Sequence, residues 1–281
     1  MLLNVTDLPA YIFCPRKLYM RKILNIIEPP TKATVLGTLR HATHEQLSKM
    51  DETVIRQLNK DHSEDEAATL FSKNYLRALR DTVNSHRSHL NEVGLEAEDV
   101  FIDVWPFIKE EAVVHAKDVL SVSKATGLFG DDLLKHLPKV ISEHHVKSES
   151  LQLKGIIDRI EVVKGQYIPY ELKTGSAPAD GVWPGHKIQV ACYMMMLEEA
   201  FKMPVREGYV KYLDCREDRR VVMNPFLEIE VKELIAKVQK LLENKEMPDP
   251  CGKKFCNCSN VKNHDLQKNG SLLQTSKLSG F

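Results

Sequence analysis

The sequence predicts an α/β fold, a mixed central sheet flanked by helices, and three stretches carry that expectation. Two runs rich in Ile, Val and Tyr, 153–163 and 166–172, read as strands joined by a turn at Lys164-Gly165. Residues 187–201 (KIQVACYMMMLEEAF) contain no Pro or Gly and carry a long apolar surface, which reads as a helix packed on the sheet. Further strand patterns at 139–146 and 208–213 flank these two features.

The rest of the chain follows in order. Residues 1–27 form an entry segment bearing Cys14, broken by Glu28-Pro29-Pro30. Residues 33–92 read as largely helical, with 33–50 first and 64–93 later; the second is long and charged, as expected of a helix that covers a sheet or lines a channel. Within 100–136 a helix is expected over 106–120 and again near Asp131. The sheet core spans about 139–226, interrupted by the 187–201 helix, and the loop 176–185 (SAPADGVWPG) joins strand to helix. A helix over 228–246 stops before Pro248 and Pro250. Residues 1–259 then make one elaborated domain, with 33–136 mostly helical, and 260–281, rich in Lys, Asn, Ser and Gly, read as a flexible tail.

Composition narrows the function classes. With 281 residues and 43% apolar content the chain can bury a sizeable core. Lys+Arg and Asp+Glu are equal at 39 each, which argues against tight, nonspecific duplex binding but leaves room for a local basic groove. No apolar run is long enough to span a membrane and nothing at the start resembles a secretory signal, so a cytoplasmic location is expected.

The chemistry concentrates on the strand pair. Side chains alternate along a strand, so Glu171 and Lys173 share a face, and Asp158 joins them if the two strands lie side by side. Glu-x-Lys alone is more often a surface ion pair than a site. Two carboxylates and an ammonium on one face, however, can hold a divalent metal and a phosphodiester. Gln189 and Tyr193 are four apart on the next helix, hence on one face, where they can position a strand.

These residues carry a resemblance. Gly155-Ile156-Ile157-Asp158, Glu171-Leu172-Lys173-Thr174-Gly175, Gln189-x-x-x-Tyr193 and, upstream, Gly37-Thr38-Leu39-Arg40-His41 together resemble the RecB-type branch of the PD-(D/E)xK nucleases. The resemblance implies that His41 joins Asp158, Glu171 and the Leu172 carbonyl as ligands of Mg2+ or Mn2+, with His44 as the competing histidine. Lys173 then orients or activates water. Glu143, in the 139–146 strand, matches an acidic position common at the active-site entrance, with Glu149 and His144-His145 as alternatives.

Six cysteines extend the likeness. Cys192 sits in the apolar helix and reads as a buried small hydrophobe, and Cys215 has no assigned role. Cys14 near the start and Cys251, Cys256 and Cys258 near the end resemble the arrangement of the iron–sulfur nucleases of RecB type, in which a 4Fe–4S cluster joins the chain ends. Among them the short length and the Cys14-Pro15-Arg16-Lys17 opening best fit the CRISPR-associated exonuclease family Cas-four. The family spaces its last three cysteines as C-x2-C followed by a more distant C, whereas this chain has C-x4-C-x-C. Zn2+ or another cluster type is therefore an alternative, with His264 or Cys215 as a substitute ligand.

The likeness implies exonuclease action on single-stranded DNA ends, trimming of fragments before CRISPR integration, and partnership with the integrase and its small companion. It is compatible with an oligomer. A stand-alone repair or mobile-element nuclease, or a catalytically silent DNA-binding subunit of a helicase–nuclease complex, would carry a similar chain. Arg16, Lys17 and Trp183 are candidate DNA contacts, through phosphate pairing and base stacking; a solvated helix face and a packing anchor are the plainer readings.

Overall fold

A computed structural model describes residues 1–244, 246–254 and 256–259; the expected tail at 260–281, with His264, lies outside the described residues. The described elements run β1 (Leu3–Asn4), α1 (Asp7–Phe13), α2 (Pro15–Lys22), α3 (Lys32–Gln57), α4 (Glu64–Ser85), α5 (Arg87–Glu92), α6 (Ala97–Thr126) and α7 (Gly130–His136). They continue with β2 (Lys139–Ser148), β3 (Leu153–Val163), β4 (Gln166–Lys173), α8 (Pro184–Phe201), β5 (Glu207–Tyr212), β6 (Glu217–Val222) and α9 (Pro225–Glu243).

The sheet is mixed and β3 is its hub. β2 runs antiparallel along nearly all of one edge of β3. The other edge is shared: β1 pairs in parallel at Leu153 and Lys154, and β4 pairs antiparallel from Arg159 to Val163. β4 continues into parallel pairing with β5, and β5 into antiparallel pairing with β6. The β3–β4 turn forms because Lys164 and Gly165 both take positive φ, 49° and 79°, the pattern of a two-residue hairpin whose twist matches its strands. Between β1 and β4 the edge of β3 is open at 155–158, and that opening places the site.

Three apolar clusters hold the chain. The first lies between the sheet and α8, α9 and α1, and includes Ile157, Ile160, Val190, Met194 and Val210. The second is helical, built from α3, α4, α6 and α7 around Phe71, Leu79, Ile108 and Leu120. The third is small, with Cys14, Met20 and Cys258 buried together.

Several expected elements have different bounds, each for a local reason. The 64–93 run divides at His86 into α4 and α5, and α4 packs on α3 and α6. α6 begins at Ala97 and carries Pro106 in its interior, ahead of the expected 106–120 helix. An interior proline costs about 3 kcal/mol; the preceding turns bury Ala97, Val100 and Val104 in the helical core, which offsets it. α8 begins at Pro184, since proline is tolerated in the first turn. α9 spans Pro225–Glu243, with Asn224 accepting from Leu227 N–H at 3.0 Å to cap its start.

Candidate active site

The site forms where the β3–β4 ladder stops. Their last paired residues are Arg159 and Tyr170, and beyond them the Leu172 N–H donates to Asp158 Oδ2 at 2.7 Å, so a carboxylate replaces the missing strand partner. On the same edge the Ile156 carbonyl accepts from Tyr193 Oη at 2.7 Å. Tyr193 therefore fills the opening between β1 and β4, and Gly155 is what lets it in. A Cβ on Gly155 would lie 2.9 Å from Tyr193 Cε1 and 3.1 Å from Val5 Cγ2.

Glu171 is 2% exposed, and its two oxygens differ. Oε1 accepts from Gln189 Nε2 and pairs with Lys173 Nζ, both at 2.7 Å, while Oε2 is buried without a partner. Gln189 Nε2 also donates to Tyr193 Oη at 3.3 Å, so the face shared by Gln189 and Tyr193 braces the carboxylate. Burial, then the Asp158 charge, pushes the Glu171 carboxyl above the usual range against the pull of Lys173.

The two histidines of α3 part company. His41 Nδ1 lies 3.2 Å from Asp158 Oδ1. Burial alone would lower its pKa, but the bond to Asp158 and the charges of Asp158 and Glu171 raise it. His44 points instead to the helical layer, with Nδ1 3.7 Å from Glu111 and Nε2 buried without a partner. Ligand atoms of His41, Glu143 and Asp158 lie within 4.8 Å of one another. These residues line a narrow cleft of about 10 Å3 together with Arg159, Leu172 and Lys211. A divalent cation suits this donor set: carboxylates and an imidazole converge near a buried carboxylate oxygen that nothing satisfies.

The profile of the PD-(D/E)XK nuclease superfamily matches residues 2–260. The chain belongs to that superfamily. A CRISPR-associated exonuclease Cas4/endonuclease Cas1 fusion of Leptospira interrogans serogroup Icterohaemorrhagiae serovar Lai (strain 56601) is 29% identical over 136 residues, 47% of this chain and 23% of that protein. The protein of the same name from Myxococcus xanthus (strain DK1622) is 27% identical over 110 residues, 38% of this chain and 19% of its own. The match thus spans less than a quarter of either relative. A solved structure titled "Crystal structure of SSO0001" covers 79% of this chain and 96% of its own at 15% identity and a TM-score of 0.31, a superposition too loose to argue from.

This PD-(D/E)XK nuclease chain also gathers four cysteines. The sulfurs of Cys14, Cys251, Cys256 and Cys258 all lie within 4.8 Å of one another, so both members of the Cys-x-Cys pair belong to the group. Cys215 is elsewhere, its Sγ accepting from Ala177 N–H at 3.4 Å. Four free thiols gathered in this way can hold a metal, and the 3.6 Å between the Cys251 and Cys258 sulfurs is close to that of two ligands on one tetrahedral ion such as Zn2+, tighter than the ligand sulfurs of a 4Fe–4S cluster. Protein bonds support the junction: Arg16 donates to the carbonyls of Cys258 (3.0 Å) and Pro248 (2.7 Å), and Lys253 to those of Ile12 (2.9 Å) and Phe13 (2.6 Å).

The candidate DNA contacts are already partnered. Arg16 braces the cysteine junction, and Lys17 pairs with Glu28 at 2.7 Å. Arg21 and Lys22 pair with the buried Asp7, at 3.0 and 2.7 Å, which accounts for much of the basic character of the entry segment. Trp183 is 45% exposed, with its indole N–H on the Ser176 carbonyl at 3.0 Å.

Sequence reasoning missed a charged seam between the helices and the sheet. Glu111 pairs with Lys211 at 2.8 Å, Arg40 with Asp214 at 2.9 Å, and Asp214 also accepts from Gly175 N–H at 2.6 Å. Within the helical layer beside the seam, Asp51 accepts from Tyr75 Oη at 2.6 Å and faces His115 at 3.4 Å. No local pattern marks these residues, because their partners come from distant parts of the chain.

Proposed function

We propose that this chain is a divalent-metal-dependent DNA exonuclease that hydrolyses phosphodiesters at single-stranded ends and prepares fragments for insertion into a CRISPR array. The observation that carries the reading is Glu171: a buried carboxylate with one oxygen held by Lys173 and Gln189 and the other unpartnered, next to Asp158 and His41. The CRISPR assignment draws on the names of the two relatives, in which an exonuclease is fused to an endonuclease.

His41, Asp158 and Glu171, with the Leu172 carbonyl, would hold Mg2+ or Mn2+. When bound, the ion polarises the scissile phosphate and makes a water nucleophilic at neutral pH. Lys173 keeps its ammonium 2.7 Å from Glu171, placed to orient that water and to offset charge developing on the phosphate. Gln189 and Tyr193 lock Glu171 and the β3 edge, so the donors need little reorganisation. The four cysteines would hold a 4Fe–4S cluster, with Zn2+ as the alternative, and tie the entry segment to residues 251–258. The partners of this reading are single-stranded DNA ends and the CRISPR integrase complex, in the cytoplasm. No helix among the described residues is long and apolar enough to cross a membrane.

The test is end-labelled single-stranded DNA incubated with anaerobically purified protein and Mn2+ or Mg2+, beside Lys173→Ala. Metal-dependent shortening by wild type alone is expected, and the label position gives polarity. DNA binding without cleavage in any divalent metal would point instead to a silent DNA-binding subunit.

A further inference from the structure

Glu143 stands in β2 directly across from Asp158. The β2–β3 register pairs Ser142 with Arg159 and His144 with Ile157, so Glu143 and Asp158 are the opposed residues between them. Opposed residues of an antiparallel pair share a face, and their ligand oxygens lie within 4.8 Å of each other and of His41. Glu143 has a φ of +49°, inside a strand. A glutamate rarely adopts that left-handed conformation, and a residue held there needs compensation from its surroundings.

No side-chain hydrogen bond supplies it. The Glu143 side chain makes no hydrogen bond or ion pair among the described residues. The charges acting on it are mixed: Asp158 and Glu45 repel it, while His41 and His145 attract it. The neighbouring candidates are occupied: Glu149 pairs with Lys147 at 2.5 Å, and His144 stacks on Phe201 at 6.1 Å. A strained, unpartnered carboxylate thus faces other carboxylates across a cleft. Nearby, Glu171 Oε2 is buried and also without a partner. Asp158 and His41 lie between the two, acting on both Glu143 and Glu171, and each unpartnered carboxylate calls for positive charge.

We infer that Glu143 is a further protein donor to the divalent cation, set on the face of Asp158 by its left-handed backbone. The inference rests on the nuclease reading above and adds β2 as a third strand contributing to the metal site. Bound cation neutralises the Glu143–Asp158 repulsion and offsets the backbone strain, so the apo protein carries a cost that metal removes.

Mn2+ titration of the full chain, by calorimetry and by electron paramagnetic resonance, tests this without reference to cleavage. Wild type is compared with Glu143→Gln, which keeps the shape, and Glu143→Asn, which tolerates positive φ. Both variants should bind Mn2+ at least about tenfold more weakly. Their melting temperatures in EDTA should equal or exceed that of wild type, and their gain on adding Mn2+ should shrink. Unchanged Mn2+ affinity in both variants, with wild type binding metal and cleaving DNA, overturns the role of Glu143 alone. A lowered melting temperature of Glu143→Asn in EDTA, with affinity unchanged after refolding, also overturns it, since Glu143 would then be structural. Wild type that neither binds Mn2+ nor cleaves overturns the nuclease reading, and this inference with it.

Discussion

Gly155→Ala tests how the sheet edge and the catalytic face are joined. The added Cβ would lie 2.9 Å from Tyr193 Cε1, 3.1 Å from Val5 Cγ2 and 3.3 Å from Val5 Cβ. Gly155 cannot retreat easily, because it pairs with Val146 of β2. Tyr193 is fully buried and tied by its hydroxyl to the Ile156 carbonyl. Overpacking of this kind costs about 1–3 kcal/mol. For a chain of this size that is a fall of roughly 2–12 °C in melting temperature, readable by calorimetry in EDTA. If Tyr193 is pushed aside to relieve the clash, Gln189 loses its 3.3 Å partner and its grip on Glu171 loosens. A loss of about 1.4 kcal/mol in transition-state stabilisation would slow cleavage about tenfold. In a Tyr193→Leu background the 2.9 Å contact disappears while Val5 remains, so the alanine should cost less there. An alanine variant that melts and cleaves like wild type, or that costs the same in both backgrounds, would refute the close-approach argument.

Acid should act on the seam at His44. Burial pushes this histidine down to about 4, against the raising effect of Glu111 and with Lys211, Arg40 and Arg159 opposing its protonation. Its folded value lies below the unfolded value of about 6.5, so the fold binds fewer protons, and stability is full above that range and lost as pH falls toward 4. The shift corresponds to about 3 kcal/mol at most. Urea melts of wild type between pH 7 and 4 should show that decline, and His44→Leu should flatten it; an unchanged slope in the variant would place the titration elsewhere. At the terminal junction, Cys14→Ser, Cys251→Ser, Cys256→Ser and Cys258→Ser should each reduce bound metal per chain, whereas Cys192→Ser and Cys215→Ser should not. Elemental analysis with an acid-labile sulfide assay reads this directly and separates iron–sulfur from Zn2+. Full metal loading in any of the first four would remove that residue from the site.

The features legible in the amino-acid sequence are those in which one local period reports one face. Ile, Val and Tyr on both sides of Lys164-Gly165 specify the β3–β4 hairpin, since the turn and the alternation lie within about twenty residues of each other. Spacing of two puts Glu171 with Lys173, and spacing of four puts Gln189 with Tyr193; both pairs meet in the structure. Tertiary structure alone decides what a period cannot express. It selects His41 over His44 for Asp158, because the packing of α3 turns one toward the sheet and the other toward Glu111. It ends the β3–β4 ladder at Arg159 and Tyr170, leaving Asp158 beyond it on an edge of β3 that Tyr193 and the short β1 share. It joins Arg40 to Asp214 across 174 residues and Glu111 to Lys211 across 100, contacts that depend on how helices and sheet dock. It also leaves one oxygen of Glu171 buried and unpaired, which depends on the burial of a whole sheet face and not on any neighbour in the chain.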